Sequence, residues 1–290
     1  MTFSIAAWDP SATPHEWGIA VASKFLAVGA AVPWAKAGAG AVATQALANL
    51  AYGPEGLEML QKGMPANAVV RMLTGSDDQR QHRQVGIVDA TGVAATFTGT
   101  ECFEWAGGRT GDGYCCQGNI LTGPEVVDDM CETFERAEGE LADRLLAALQ
   151  AGDRAGGDRR GRQSAAILVV REGGGYGGGT DVAVDLRVDD HDDPVPELFR
   201  LFDIQRLLFP RPEDLDFVPI DGAVAGEIAR LLNRTGHFSG EADAYGESLR
   251  KALFAFVGTE NLEERWSDEA KVEKKVLDYL REAAARSGPE

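Results

Sequence analysis

Two short apolar runs decide the fold: Thr2-Phe-Ser-Ile-Ala-Ala7 and Gly18-Ile-Ala-Val-Ala-Ser23. The segment between them, residues 8–17, contains aspartate and two prolines, which are typical of turns. The pattern therefore predicts two antiparallel strands joined as a hairpin. In a hairpin the end of the second strand lies beside the start of the first, so we expect Ser23 and Lys24 beside Thr2.

Thr2 carries the main functional hypothesis. Methionine aminopeptidases remove Met1 when the second residue is small, and this would place an α-amino group beside the Thr2 hydroxyl. An α-amine has a pKa of about 7.7–8.0, so at neutral pH a useful fraction is neutral and accepts the hydroxyl proton. One residue then supplies both nucleophile and base. Lys24 would lower the pKa of that amine by like-charge repulsion, or it is simply an exposed lysine at a strand end.

The remaining elements extend the hairpin into a sandwich. After the hairpin, strands are predicted over 28–34 and 38–45, and helices over 53–62 and 65–73. A second set of strands, over 84–88 and 93–98, is followed by helices that start at 122 and span 141–151. Strands over 163–170 and 182–188 complete the order. Runs of strands followed by runs of helices favour an α+β sandwich over a doubly wound sheet. Helices predicted over 196–209, 222–234, 245–257 and 269–285 surround a charged, proline-containing linker at 211–214. We therefore expect one domain of residues 1–209 and a small all-α domain of residues 210–290.

Charge and hydropathy narrow the classes of partner. The 290 residues carry a formal net charge of -18, and an acidic surface disfavours nucleic acid and anionic membranes. No apolar run reaches the roughly 20 residues of a membrane span, and the N-terminal sequence does not resemble a signal peptide. We therefore expect a cytoplasmic protein with no nucleic-acid or membrane partner. Its four cysteines are then expected to be reduced thiols.

Seven blocks of sequence resemble the bacterial family called Domain of Unknown Function 1028. In chain order they are Met1-Thr-Phe-Ser-Ile-Ala-Ala7, residues 18–29, residues 38–45, His82-Arg-Gln-Val-Gly86, Arg109-Thr-Gly-Asp-Gly113, Gln117-Gly-Asn119 and residues 157–164. The resemblance covers roughly residues 1–200. It implies membership of the N-terminal-nucleophile (Ntn) hydrolase superfamily and an αββα four-layer sandwich, but no substrate.

The first two blocks also resemble, more loosely, the opening hairpin of proteasome β-subunits. There the second strand ends in Ala-Ala-Asp, whereas here Ser23 stands in place of the carboxylate. The lysine that the proteasome keeps on its third strand is not matched, although Lys36 is nearby. The N-terminal amine would therefore act as base with less help. A non-catalytic Ntn-fold protein, either a ligand binder or an oligomeric scaffold, is the main alternative.

The C-terminal segment resembles a three-helix peptidoglycan-binding-like module. Residues 229–243 contain a helix and a Gly-x-aromatic-x-Gly turn at Gly236-His-Phe-Ser-Gly240, and residues 249–256 continue as a helix that ends in aromatic residues. The resemblance implies that this segment binds muropeptides, the substrate or a second subunit.

Glutamine and asparagine side chains are candidates near Thr2. Backbone N–H groups of Gln117-Gly-Asn119, or the Asn119 amide, would stabilise an oxyanion. A turn that needs glycine for its backbone angles is the equal alternative. Gln45 and Gln117, which lie in two of the family-like blocks, are expected to contact the substrate.

Three further polar positions are candidates for substrate binding. Asp158 and Arg160 lie in the densest basic cluster of the chain, residues 158–162, and arginine binds carboxylates bidentately. An ion-pair cluster or a subunit contact is the alternative for them. Ser164 is expected to orient the α-amine, and Asp112 to bind a substrate amine or only to form a turn.

A metal site is the weaker hypothesis. The run Asp189-Asp-His-Asp-Asp193 carries metal-ligating side chains, but such charge runs are more often solvated loops. We expect no metal and no cofactor. The interpretation is thus an Ntn-type amidohydrolase, a homo-oligomer, that cleaves a small amide or a short, cell-wall-derived peptide.

Overall fold

The computed structural model describes residues 2–287, which form two compact units that divide between Phe202 and Asp203. Met1, whose removal the nucleophile hypothesis requires, lies outside the described residues. Within residues 2–287 we find no helix with the length and apolar character to cross a lipid bilayer.

The first unit contains a six-stranded antiparallel sheet with the strand order β10-β9-β2-β1-β8-β7. Its strands are β1 (Thr2–Asp9), β2 (Glu16–Ser23), β7 (Gly107–Gly111), β8 (Tyr114–Asn119), β9 (Ser164–Val170) and β10 (Val182–Val188). The predicted hairpin is confirmed, because β1 pairs with β2 and Phe3 lies opposite Ala22.

A second, four-stranded antiparallel sheet lies against the first. It comprises β3 (Pro33–Lys36), β4 (Gly40–Ala46), β5 (Arg83–Asp89) and β6 (Ala94–Thr98). Alternate residues of β1 face opposite sides: Ile5 packs in the helical core, whereas Ala6 packs between the sheets with Val21 and Ala43. The even-numbered residues of β1, including Thr2, therefore point toward the space between the sheets.

Helices cover the two outer faces. They are α1 (Tyr52–Gln61) and α2 (Ala66–Gly75) on the four-stranded sheet, and α3 (Glu125–Arg136) and α4 (Leu141–Arg154) on the six-stranded sheet. In α3 the buried residues Val127, Met130 and Phe134 recur at helical spacing and form one apolar face. Gly18 lets α4 approach, since a Cβ there would lie 2.7 Å from Leu145 Cδ1. The α+β class is confirmed, with four layers in the order helix, sheet, sheet, helix.

One predicted strand is wrong at its start. Residues 28–34 were expected to be extended, but Val28–Ala30 form a 3₁₀ turn, and the strand is only Pro33–Lys36. Ala27 has a left-handed backbone with φ 53°, and the Val28 N–H is donated to Ser164 Oγ at 3.1 Å. A side-chain hydroxyl thus replaces a strand partner and turns the chain.

The second unit is mainly helical. The helix α5 (Pro194–Leu208) crosses the division between units, and β11 (Phe217–Pro219), α6 (Gly222–Arg234), α7 (Glu247–Thr259), β12 (Lys271–Glu273) and α8 (Lys274–Arg286) follow it. The short β11–β12 pair was not predicted. The strand β12 occupies the beginning of the stretch expected as one helix over 269–285. The helix α8 starts only after it, where Glu273 caps its first turn by accepting the N–H groups of Lys275 and Val276.

Candidate functional site

Four adjacent strands place one polar residue each in a row at the same end of the six-stranded sheet. Asn119 on β8 lies opposite Thr2 on β1, and Ser23 on β2 lies opposite Ser164 on β9. Thr2 Oγ1 lies 3.1 Å from Ser23 Oγ. All four are at most 4% exposed. We call Asn119, Thr2, Ser23 and Ser164 the Thr2 row.

The Thr2 row is tied to the second sheet by a buried network of amide side chains. The hydroxyl of Ser4 donates to Gln45 Oε1 at 2.7 Å, and Gln45 Nε2 donates to Gln84 Oε1 at 2.8 Å. Asn119 Nδ2 also donates to Gln84 Oε1, at 2.9 Å. Gln117 completes the network by donating from Nε2 to Ser4 Oγ at 2.7 Å. Gln45, Gln117 and Asn119, predicted as site residues, are thus brought together with Thr2.

Gln84 is the residue at the centre of the network that sequence reasoning missed. Its Nε2 donates to the Gly118 carbonyl at 2.7 Å, and its Oε1 accepts from both Gln45 and Asn119. The signal that could have found it is its place in the family-like block at 82–86. Gln84 links the strand partner of Thr2 to the opposite sheet, so it positions the Asn119 amide.

Close approach of the two sheets depends on Gly86. A Cβ at this position would lie 2.0 Å from Gln117 Oε1. Within the described residues that oxygen is buried without a hydrogen-bond partner. The tight fit of Gln117 against Gly86 therefore places the amide for its contact with Ser4 rather than for contact with solvent.

Lys24 and Ser164 serve the loop that follows β2. Lys24 is exposed, and its Nζ donates to the Arg162 carbonyl at 3.0 Å. The Ser164 hydroxyl donates to the Phe25 carbonyl at 2.5 Å and accepts the Val28 N–H. The contacts of both side chains therefore fasten the turn over 24–28 next to the Thr2 row.

Asp158 and Arg160 form an ion pair with each other. Arg160 Nη2 lies 2.8 Å from Asp158 Oδ2, and Arg160 Nε donates to Asp158 Oδ1 at 3.1 Å. Asp158 Oδ2 also accepts the Lys24 N–H at 2.9 Å. The Arg160 guanidinium expected to hold a substrate carboxylate therefore already holds a carboxylate of the chain.

Asp112 is not in the same place as Thr2. It lies in the turn between β7 and β8, and Tyr114 at that end of β8 is opposite Ala7 on β1. The strand β8 therefore separates Asp112 from Asn119 and the Thr2 row. The turn explains this aspartate, and the expected contact with a substrate amine at Thr2 does not fit its position.

The acidic run at 189–193 is held by a contact from the residue before β9 and by one contact within its own loop. Gln163 Nε2 donates to Asp190 Oδ1 at 3.0 Å, and the Asp193 N–H is donated to His191 Nδ1 at 3.0 Å. Across residues 2–287, no three His, Cys, Asp or Glu side chains are grouped as metal ligands. All four cysteines are buried and unpaired as disulfides in this part of the chain.

An ion-pair cluster fixes the loop that follows β4 at the same end of the molecule. Asp77 Oδ2 accepts from Arg83 Nε at 3.0 Å, from Tyr52 OH at 3.0 Å and from Asn49 Nδ2 at 3.2 Å. Arg83 also donates to the Leu47 carbonyl. Burial acts to raise the pKa of Asp77, but these bonds outweigh it and hold the pKa well below its usual range. The carboxylate therefore stays ionised and anchors residues 47–52.

Three residues other than glycine adopt left-handed backbone angles at this end. They are Ala27 with φ 53°, Ala46 with φ 68° and Ile120 with φ 52°, and they follow or end the strands β2, β4 and β8. A left-handed β-branched residue such as Ile120 is an outlier. Strained backbone of this kind clusters at functional sites and costs about 1–3 kcal/mol for each residue. The observation favours the Thr2 end as the functional end of the sandwich.

Comparison with known proteins agrees with this division of the chain. The model "Family of unknown function (DUF1028)" matches residues 2–198, and the model "Putative peptidoglycan binding domain" matches residues 208–280. A crystal structure of a Silicibacter pomeroyi protein assigned to the first family is 34% identical. It superposes with a TM-score of 0.65 over 71% of this chain and 86% of that protein. The comparison with curated proteins found no match.

Proposed function

The chain belongs to the family called Domain of Unknown Function 1028, and from its Thr2 end we propose that it is an Ntn-type amidohydrolase with Thr2 as nucleophile. One observation carries the proposal. Thr2 is the first residue of β1, and its hydroxyl faces the space between the two sheets and lies 3.1 Å from the Ser23 hydroxyl. After loss of Met1, the α-amine and the hydroxyl of the same residue would stand together at this position.

The reaction follows the chemistry of an N-terminal threonine. Thr2 Oγ forms a bond to the amide carbon while its proton passes to the α-amine, directly or through Ser23. The C–N bond then breaks, and the departing amine takes that proton. Water hydrolyses the resulting ester and restores the hydroxyl, with the amine again acting as base.

Asn119 is the proposed donor to the oxyanion. An amide nitrogen carries two protons, and Gln84 Oε1 accepts one of them at 2.9 Å. The register opposite Thr2 gives the other proton access to the carbonyl under attack. Removal of one such donor typically lowers kcat by about 10²–10³.

The proposed substrate is a small amide or a short peptide derived from the cell wall. The match of residues 208–280 to the peptidoglycan-binding model supports the second part of this proposal. That family description concerns binding and not bond cleavage, so the proposed substrate class takes the ligand of residues 208–280 to be related to the substrate of Thr2. The cytoplasmic location and the homo-oligomer stay predictions.

A specific observation favours one alternative, a ligand-binding protein that lacks catalysis. Among residues 2–287, the side chain that hydrogen-bonds Thr2 Oγ1 is the neutral Ser23. The nearest lysine in sequence, Lys24, donates instead to the Arg162 carbonyl. A site without a charged relay would still bind an amide through its buried amide network.

The test combines intact mass with matched variants of Thr2. We expect the native protein to lack Met1 and to hydrolyse members of a panel of acyl amides and muropeptides. Thr2→Val keeps the shape of the side chain and should abolish turnover, whereas Thr2→Ser should keep a measurable rate. Turnover by a protein that retains Met1, or full activity of Thr2→Val, would overturn the proposal.

A further inference from the structure

A cleft of about 370 Å³ opens beside the Thr2 row. Its floor is formed by Phe3, Ala22 and Ser23, at the paired ends of β1 and β2. Its wall is formed by the last residues of α4 and the loop that follows it, over residues 153–162. The volume is in the range of small-molecule pockets, which is roughly 300–1,000 Å³.

Ser23 connects this cleft to the nucleophile. The residue lines the cleft, and its hydroxyl lies 3.1 Å from Thr2 Oγ1. A ligand that fills the cleft therefore contacts Ser23, the residue whose hydroxyl is beside that of Thr2. The cleft is the natural place for the part of a substrate that is held while its amide reacts.

Both aspartates that line the cleft are already paired with an arginine. Arg162 forms a bidentate pair with Asp153, at 2.7 Å from Nε to Oδ1 and 2.9 Å from Nη2 to Oδ2. Asp158, buried in the cleft wall, pairs with Arg160 at 2.8 Å. Neither aspartate is therefore left to accept a further cation, and neither of their arginines is the strongest candidate to hold an anion.

Arg154 and Arg159 also line the cleft, and they differ from the paired arginines. Both are exposed, and within residues 2–287 neither has a hydrogen bond or an ion pair to a carboxylate. One cleft is thus lined by two guanidinium groups that have no carboxylate partner in the described part of a chain of net charge -18. A cleft with this charge attracts an anion, whereas the acidic surface elsewhere repels one.

We propose that the cleft beside Ser23 binds the carboxylate of the substrate through Arg154 and Arg159. The inference rests on the proposed function in one respect, because it takes the bound ligand to be the substrate of Thr2. Guanidinium groups bind carboxylates bidentately, with two parallel hydrogen bonds and opposite charge. The substrate class narrows to acyl amino acids and short peptides with a free carboxylate.

The experiment is calorimetric binding to the full chain, with a panel of N-acetyl amino acids as probes and the matching uncharged N-acetyl amino acid amides. The double variant Arg154→Gln/Arg159→Gln removes the two unpaired cations. The control Arg71→Gln/Arg230→Gln removes two exposed arginines that lie outside the cleft and likewise lack carboxylate partners in the described chain. An unfolding curve for each variant shows that the fold is retained.

We expect the acids to bind the unmodified chain at least about tenfold more tightly than the amides, with affinity falling as salt rises. The cleft variant should lose this preference, and the control variant should keep it. Equal affinity for acid and amide, an unchanged Kd in the cleft variant, or failure of every acid in the panel to bind would overturn the proposal.

Failure of the cleft and failure of the catalytic proposal give different results. Thr2→Val should bind the acids as tightly as the unmodified chain, because Thr2 does not line the cleft. Arginine-dependent binding without Thr2-dependent turnover would leave the cleft in place and reject the amidohydrolase. Thr2-dependent turnover with equal rates for acids and amides would support the amidohydrolase and reject the carboxylate-binding cleft.

Discussion

The hydroxyls of Thr2 and Ser23 lie 3.1 Å apart at the ends of two adjacent antiparallel strands, and both residues are buried. A hydroxyl both donates and accepts, so Ser23 can receive the Thr2 proton and pass it on. A carboxylate in the same place would accept only. This neutral pair therefore leaves the strong base of the site to be the α-amine.

Ser23→Ala tests whether this hydroxyl positions the nucleophile. We expect kcat to fall by about 10- to 100-fold with little change in KM, because the bond to Thr2 aligns the reacting group. The acidic limb of the pH profile should stay near the pKa of the amine, about 7.7–8.0. Ser23→Thr should retain most of the rate, and Ser11→Ala in the exposed turn is the control. An equal fall of kcat in Ser23→Ala and Ser23→Thr would mean that packing, and not the hydroxyl, is responsible.

Gln84→Glu tests the buried amide network. The change keeps the shape of the side chain but removes the Nε2 donor to the Gly118 carbonyl and buries an acid. We expect a loss of roughly 3 kcal/mol or more in the free energy of unfolding, measured with urea. The control Gln61→Glu is at an exposed position that already bonds Lys36, so it should change stability by less than about 0.5 kcal/mol. Similar losses in the two variants would contradict the role of the network.

The Asp77 cluster predicts an acid-dependent step in stability. The pKa of Asp77 is held below the ordinary value of 3.8 in the folded protein. The stabilisation of the fold by its carboxylate is therefore complete above that pH, and it is lost as the pH falls through the lower, folded-state pKa. Asp77→Asn should cost about 1–3 kcal/mol at pH 7 and flatten the pH dependence below about pH 4. The exposed neighbour Asp78→Asn is the control and should keep the slope of the unmodified chain. Parallel slopes in all three proteins would contradict the cluster.

Arg265 is expected to stabilise the second unit. Its side chain is fully buried, and its Nη1 lies 3.0 Å from Glu273 Oε2 as an ion pair that lacks hydrogen-bond geometry. Its other two guanidinium nitrogens donate to the carbonyls of Leu207 and Arg206 at the end of α5. Arg265→Met leaves Glu273 as an uncompensated buried charge. We expect a loss of about 3–5 kcal/mol in the unfolding transition of this unit, monitored by circular dichroism.

Arg250→Met is the matched control for that measurement. It breaks the exposed pair between Arg250 and Asp268, which is worth at most about 1 kcal/mol. A loss in Arg265→Met no larger than in this control would show that the buried pair is not what holds the end of α5.

The Thr2–Ser23 pair was predictable from the sequence because a hairpin is a local structure. The ten intervening residues, 8–17, have turn chemistry and leave one antiparallel pairing that buries both apolar runs, so the neighbours follow from the pattern. Asn119, Gln45 and Gln117 were found through family-like blocks, but their mutual bonds were not. Gln84 was missed because its partners Asn119 and Gly118 are distant along the chain and are chosen by how the two sheets stack.

By itself, the sequence determined the α+β class, the opening hairpin and the place of Thr2, because alternation and turn residues act over short distances. Tertiary structure alone decided which arginines in and beside the basic cluster are paired. Arg160 and Arg162 bind Asp158 and Asp153, whereas Arg159 of the cluster and Arg154 before it have no carboxylate partner within residues 2–287. Tertiary structure also decided that Asp112 lies away from Thr2 and that residues 28–30 turn. Such outcomes depend on which groups meet after packing, and charge pairing is selected by distance in space rather than along the chain.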